Sequence, residues 1–337
     1  MRIAVLLSGG IDSAIAAWQL KEQGHEIKAL TMINWDTSIA EKAAYVAGFL
    51  EIPHEIIDIR PVFQRQVVQY FINEYARGRT PNPCVECNKH IKFGVLLDRA
   101  LSQGYERIAT GHYARIEYCP EKKRYLLRQG VDFSKDQSYF LYGLTQAQLS
   151  KIIFPLGNQK KEDIAARARE LGLKTAQDPE SQEICFVPGD YRIFLQEHLE
   201  AQKGDMVDTT KEIVGQHKGL YQYTIGQRRG LGISRSTPVY VIAIDPVSNR
   251  LLIGEEKDLY RRELECEDNN IILHEEVPST LEVMAKIRYQ APGAAATIFS
   301  GQEKINVRFD QPQRAVTPGQ SVVFYRGDYV VGGGIIC

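Results

Sequence analysis

The sequence has 337 residues, 44% of them hydrophobic and 25% charged, a globular balance that excludes a disordered chain. Lys and Arg number 41 against 42 Asp and Glu, so a uniformly basic nucleic-acid coat is excluded and an anionic partner must meet a local basic patch. The opening apolar run, Ile3 to Leu7, is too short for a signal peptide or a membrane span, and six cysteines are too few for a disulfide scaffold. These features predict a soluble cytoplasmic protein with reduced thiols and no membrane partner, folded as two or three domains at about 150 residues each.

Ile3 to Leu7 reads as a strand buried on both faces, and Asp12 to Glu22 as the helix that follows a turn at Ser8-Gly9-Gly10. Strands at Ile27–Met32, His54–Ile59 and Arg107–Thr110 alternate with helices at Ala40–Leu50, Val62–Tyr75 and Ile91–Leu101. This alternation predicts an α/β, doubly wound parallel sheet. Ile116–Tyr118 and Tyr125–Arg128 flank a hairpin signal, and two helical stretches follow at Gln146–Ile153 and Lys161–Leu171. Beyond about Gln202 short β-branched runs recur between Gly, Pro and Asn, which predicts a small β-rich domain and a β-barrel. Seven acids against three bases over 255–268 read as a solvated link between the β modules.

Ser8-Gly9-Gly10-Ile11-Asp12-Ser13 lies between a buried strand and a helix start. Its glycines let the backbone turn so that N–H groups converge, and the helix N-terminus and the hydroxyls add to a pocket suited to pyrophosphate. A plain capped corner is the bland alternative. The Gly-Lys-Ser/Thr of a Walker A loop and the third glycine of a dinucleotide fingerprint are both missing.

Thr80-Pro81-Asn82-Pro83-Cys84-Val85-Glu86-Cys87-Asn88 is a second constellation, with Lys89 and Lys92 after it. Two prolines imply a stiff loop without helix, and the lysines and a following helix N-terminus imply a lowered thiol pKa. Half a zinc site, a redox dithiol and a reactive thiol all remain open readings of this Cys-x-x-Cys. Cys185 follows Ser181-Gln182-Glu183-Ile184 and reads equally well as an inert buried thiol or a reactive one, whereas Cys119, Cys266 and Cys337 carry no chemical signal. Lys218, Arg228, Arg229 and Arg235, interleaved with Tyr221, Tyr223 and glycines, form a loop suited to phosphate backbones and unstacked bases. Six bases against three acids over 286–337 add a second local excess.

The hexapeptide at 8–13 resembles the pyrophosphate loop of adenylating ATP pyrophosphatases, and the whole chain resembles the tRNA-specific 2-thiouridylases. The matching runs include Arg-Thr-Pro-Asn-Pro-Cys-Val-Glu-Cys-Asn at 79–88, Thr-Gly-His-Tyr-Ala at 110–114, Lys-Asp-Gln-Ser-Tyr-Phe-Leu at 135–141, Ser-Gln-Glu-Ile-Cys-Phe at 181–186 and Tyr-Thr-Ile-Gly-Gln-Arg-Arg-Gly-Leu-Gly at 223–232. The resemblance implies an adenine-nucleotide hydrolase-like N-terminal sheet over 1–200, a central β-rich tRNA-contacting domain over 201–262 and a C-terminal barrel over 263–337. It implies 2-thiolation of the wobble uridine of tRNA by adenylation of the C2 oxygen and sulfur transfer from a cysteine persulfide. Cys87 matches the nucleophile and Cys185 the persulfide carrier, while Asp12 matches a carboxylate that helps hold Mg²⁺. Leu6, Leu7, Ser8, Gly9, Gly10, Ile11, Asp12, Ser13, Met32 and Gly111 match ATP contacts. Asn82, Pro83 and Cys84 match the stretch facing the target base, and His112, Lys135, Asp136, Gln137, Arg288, Tyr289 and Gln320 match tRNA contacts. The partners implied are tRNA and a sulfur-donor protein, a cysteine desulfurase or sulfur carrier.

Two departures stand out. The segment after Asn34-Trp35-Asp36 is shorter than the polar insertion many relatives carry. Cys84 adds a third thiol, so a 4Fe–4S cluster held by Cys84, Cys87 and Cys185 is an alternative mechanism. A small-molecule adenylating ligase and a non-catalytic RNA-binding scaffold are the competing functions.

Overall fold

The computed structural model describes residues 1–35, 37–174, 184–187, 189–275, 277–301 and 303–337. Asp36 and the Ser181-Gln182-Glu183 part of the motif lie outside the described residues. The N-terminal part is built on a parallel sheet in the order β3-β2-β1-β4-β7, formed by β1 (Arg2–Leu6), β2 (Glu26–Ile33), β3 (His54–Asp58), β4 (Arg107–Ala109) and β7 (Ile152–Ile153). Ile3, Ala4 and Val5 of β1 are wholly buried because helices cover both faces, which is why the strand reads as an unbroken apolar run. The helix α1 (Ile11–Glu22) leaves the sheet after β1 and α2 (Ser38–Phe49) after β2. Strand order reverses direction at β1, with β2 on one side and β4 on the other, so the carboxyl ends of these strands open a crevice of the kind that takes ligands in doubly wound sheets.

The doubly wound expectation holds, while three local expectations need correction. Gln146–Ile153 is not one helix: α5 (Gln146–Leu149), begun by a Thr145–Gln148 capping box, stops early, and Ile152 and Ile153 pair in parallel with Ile108 and Ala109 as the fifth strand. β-branched side chains next to a sheet edge gain more from pairing than from another helical turn.

The prolines near the cysteines do not forbid a helix. Pro83 occupies the first helical position after Asn82, where its fixed φ suits a helix and its missing N–H costs nothing. A continuous helix over 83–102, α4, follows, and it widens to π geometry over Cys87–Val95. Gln148 donates to the carbonyls of Lys89 and Phe93 at 3.0 and 2.7 Å, satisfying acceptors that the wider turn releases. A second helix, α3 over 60–76, contains a π segment at Gln64–Val68.

The acidic stretch is not a link either. Beyond Tyr260 it is β12 (Tyr260–Ile271), in which Glu263, Glu265 and Glu267 alternate with inward Leu264 and Cys266.

After a short helix, α6 (Lys161–Glu170), and another, α7 (Tyr191–Gln196), the chain forms a four-stranded sheet in the order β10-β11-β8-β9. Its members are β8 (Gly204–Val207), β9 (Ile213–His217), β10 (Tyr240–Asp245) and β11 (Arg250–Gly254). The last third is a six-stranded barrel of β12, β13 (Thr280–Lys286), β14 (Ala294–Ser300), β15 (Ile305–Arg314), β16 (Ser321–Arg326) and β17 (Tyr329–Ile336), closed by pairing of β12 with β17. Gly332 permits that closure, since a Cβ there would collide with the Asn270 carbonyl oxygen on β12. The hairpin β5 (Ala114–Cys119) and β6 (Arg124–Gln129) joins the barrel sheet through Tyr329 and Arg128, tying the N-terminal part to the barrel.

Candidate active site

The crevice between β1, β2 and β4 is a cleft of about 220 Å³, lined by Leu6, Leu7, Ser8, Asp12, Ser13, Met32, Lys92, Gly111, His112 and Gln137 among others. Its floor is set before any ligand arrives. The Ser8 N–H donates to Ser13 Oγ at 3.1 Å, and the Ser13 hydroxyl donates to the Gly10 carbonyl at 3.0 Å. Gly9 adopts a φ of 80°, and Gly10 caps α1 in extended conformation, leaving Ile11 as the first helical residue. Gly111 packs directly on the start of α1: a Cβ there would be 2.7 Å from the Asp12 carbonyl carbon and 2.8 Å from the Ser13 nitrogen. Turn, helix N-terminus and hydroxyls thus converge as a cradle for an anion.

Two residues beyond the sequence candidates complete the corner. Asp12 Oδ1 accepts from the Tyr113 hydroxyl at 2.8 Å, and Lys161 Nζ donates to Oδ1 and Oδ2 at 2.7 and 2.8 Å. Sequence spacing gave no hint of either partner, since the three residues come from different loops and helices.

Helix α4 carries Cys84, Cys87 and Lys92, a thiol wall of which Lys92 lines the cleft. Lys92 follows Cys87 by five residues, one turn in π geometry, and makes no ion pair among the described residues. Cys185 arrives from another segment and is fixed by Asn34, whose side-chain amide donates to its sulfur at 3.2 Å. Trp35 and Phe186 on either side pack ring to ring at 6.4 Å. The sulfurs feel one another electrostatically: Cys185 and Cys84 act on Cys87, and Cys84 acts on Cys185.

The thiols run against the expectation of lowered pKa. Burial pushes Cys87 up to about 12, with Lys92 pulling in the opposite direction. Cys84 and Cys185 are open to solvent on one side, yet the dense protein around them raises both thiols too, again against the pull of Lys92. Desolvation outweighs a single partly exposed ammonium. Burial, with Lys92 nearby, also drives the His112 pKa well down, so its ring is neutral at pH 7, and its Nδ1 pairs with Thr110 Oγ1 at 2.7 Å.

The other sequence-matched positions divide by environment. Asp136 is buried, and its carboxylate accepts from the N–H groups of Gly130 and Ser138, the Ser138 hydroxyl and the Gln129 amide, so it shapes its own loop. Gln137 accepts from the Tyr113 N–H, and Lys135 is half-buried on the same loop. Gln320 donates to the Thr80 and Pro81 carbonyls at 2.9 and 3.3 Å, bracing the chain just before Asn82. Arg288 donates to the Ala315 carbonyl and the Thr317 hydroxyl, and Tyr289 packs against Phe140 in a tilted ring contact at 4.5 Å. Arg228 and Arg229 stand exposed beside a groove of the central sheet, but Arg235 of that loop is paired with Asp208 at 2.9 Å. The basic excess of the barrel is also partly neutralised, because Lys304, Arg308 and Arg314 pair with Glu265, Glu263 and Glu256. Those partners all come from the acidic stretch.

A family model described as "tRNA methyl transferase HUP domain" matches residues 1–189, and models for a PRC-barrel domain and an "Aminomethyltransferase beta-barrel domain" match 192–255 and 261–336. A "tRNA-specific 2-thiouridylase MnmA" of Syntrophomonas wolfei is 49% identical over 337 residues, covering all of both chains. The chain belongs to the tRNA-specific 2-thiouridylase family. A second 2-thiouridylase, from Caldanaerobacter subterraneus, is 48% identical over 354 aligned positions, which cover 99% of this chain and 97% of that one. Among solved structures, a 4-thiouridine synthetase in complex with RNA and ATP is 18% identical at a TM-score of 0.38, covering 58% of this chain and 50% of that one, too loose a likeness to carry weight. No helix among the described residues is long and apolar enough to cross a membrane.

Proposed function

We propose that this 2-thiouridylase-family chain uses ATP to replace the C2 oxygen of the wobble uridine of tRNA with sulfur. The observation that carries the reading is the position of Lys92, which lines the cavity that the 8–13 corner opens into and whose charge reaches Cys84, Cys87 and Cys185. The corner suits the pyrophosphate of ATP, and Leu6, Met32 and Gly111 give it apolar and close-packed walls. Asp12 with the hydroxyls of Ser8 and Ser13 offers hard oxygen donors that fit Mg²⁺, which when bound would neutralise phosphate charge.

A uridine C2 oxygen is a poor leaving group. Its attack on the α-phosphate of ATP expels pyrophosphate and leaves AMP on that oxygen. The terminal sulfur of a Cys185 persulfide then bonds to C2, and AMP departs with the C–O electron pair. The Cys87 thiolate next attacks Cys185 Sγ; the S–S bond breaks, its electrons stay on the thiocarbonyl sulfur, and a Cys87–Cys185 disulfide remains for a thiol reductant. Exposure of Cys185 supports loading by a sulfur-donor protein, a cysteine desulfurase or sulfur carrier. Lys92 is the charge available to favour the thiolates.

Incubation with ATP and unmodified tRNA should release pyrophosphate, whereas ATP with small carboxylic acids should not; the reverse pattern would make the chain an adenylating ligase, and tRNA binding without turnover would make it a scaffold. A second mechanism, a 4Fe–4S cluster on Cys84, Cys87 and Cys185, is favoured by the third thiol. The three sulfurs would have to draw together to bind it, since no group of three His, Cys, Asp or Glu among the described residues is arranged to hold a metal ion. A visible absorption band after anaerobic purification would select it.

A further inference from the structure

Lys161 stands in an electrostatically awkward position. It is the first residue of α6, where the helix end already carries partial positive charge, and its side chain is only 14% exposed. Its backbone N–H is fixed by Asp132 Oδ2 at 3.0 Å, and Asp132 is itself held by the Ser134 hydroxyl and N–H. The side chain therefore starts from a rigid base and ends on both oxygens of Asp12, the one carboxylate of the 8–13 corner. With the Tyr113 hydroxyl, three hydrogen bonds neutralise a negative group at the place where a polyphosphate would enter. A bare carboxylate there would repel that tail, and a lysine stem is long and flexible enough to move its ammonium by one hydrogen-bond length without backbone change.

We propose that Lys161 is a phosphate ligand held in reserve: it screens Asp12 while the corner is empty and turns its ammonium onto the pyrophosphate portion of the nucleotide when that arrives. The proposal rests on the nucleotide reading above and extends it to a residue outside the loop. Arg at 161 would keep the charge and much of the reach, and Gln would keep neither.

The test is calorimetric titration of the full-length chain, without Mg²⁺, using inorganic pyrophosphate and, separately, adenosine. Lys161→Gln should bind pyrophosphate about tenfold more weakly, with adenosine affinity unchanged, and Lys161→Arg should regain most of the loss. Because Lys161→Gln also uncovers Asp12, the same change is made in an Asp12→Asn background. There the tenfold cost should persist, and its disappearance would show that Lys161 acts only by screening Asp12, which overturns the proposal. Wild-type affinity in Lys161→Gln would overturn it as well. A wild-type chain that binds adenosine but not pyrophosphate would sink this proposal alone, whereas one that binds neither ATP, adenosine nor pyrophosphate would remove the nucleotide reading and this proposal together. Circular dichroism and the Arg variant separate misfolding from loss of the contact.

Discussion

The phosphate corner and the thiol wall are linked through Lys92 and are prepared in opposite ways. At the corner, N–H groups, hydroxyls and a neutralised carboxylate are already hydrogen-bonded in place, so a ligand meets little reorganisation. At the wall, the sulfurs are gathered but held as thiols by the low-dielectric protein around them. On the proposed function, the difference teaches that nucleotide capture would be built into the resting fold, whereas activation of Cys87 would wait for the substrate complex to change its surroundings.

The sharpest way to break this contrast is at the wall. Cys87→Ser and Cys185→Ser should each cut sulfur incorporation about a thousandfold or more while tRNA affinity stays within about twofold, as read by nucleoside mass spectrometry and by filter binding. Full thiolation by either variant would remove the relay. Next in size is the alkylation rate of Cys87 in the free protein. Burial disfavours the charged form, so the pKa rises and the thiolate fraction at pH 8 falls; iodoacetamide should react about a hundredfold more slowly than with free cysteine, and the rate should keep climbing beyond pH 9. A plateau near pH 7 would mean an activated thiol and end the contrast.

At the corner, Gly111→Ala drives a methyl into the backbone of α1 and should cost about 1–3 kcal/mol, seen as a lower thermal midpoint together with weaker ATP binding. Unchanged ATP affinity would show a looser corner than the one described. Cys119→Ser, remote from both regions in the β5 strand end, should leave thiolation and stability within about 0.5 kcal/mol of wild type.

Much of this was legible in the chain itself. Apolar runs such as Ile3 to Leu7 and the glycines of the corner announce a buried strand and a tight turn, because each demands particular residue types. Cys87 and Cys185 are candidates through the family resemblance, and their neighbourhood follows from long-range packing that periodicity cannot express. The protonation of the thiols was misread for the same reason: nearby lysines are visible along the chain, whereas desolvation depends on segments such as 184–187 that arrive from elsewhere. The Asp12–Lys161 pair spans 149 positions, so no local rule could have found it. The strand identity of β12 was masked by its charge, although the alternation Glu263, Leu264, Glu265, Cys266 was already there to read.

The Gln320 side chain reaches from the barrel to the two carbonyls just ahead of Asn82, and Arg79 alongside binds Glu267 and the Ile336 carbonyl. The carboxy-terminal third is therefore a buttress for the cysteine segment as well as a surface of its own. A polypeptide cut short before residue 320 would keep every group of the phosphate corner and lose the footing beneath its first two sulfurs, so ATP capture and sulfur delivery would part company in a truncated chain.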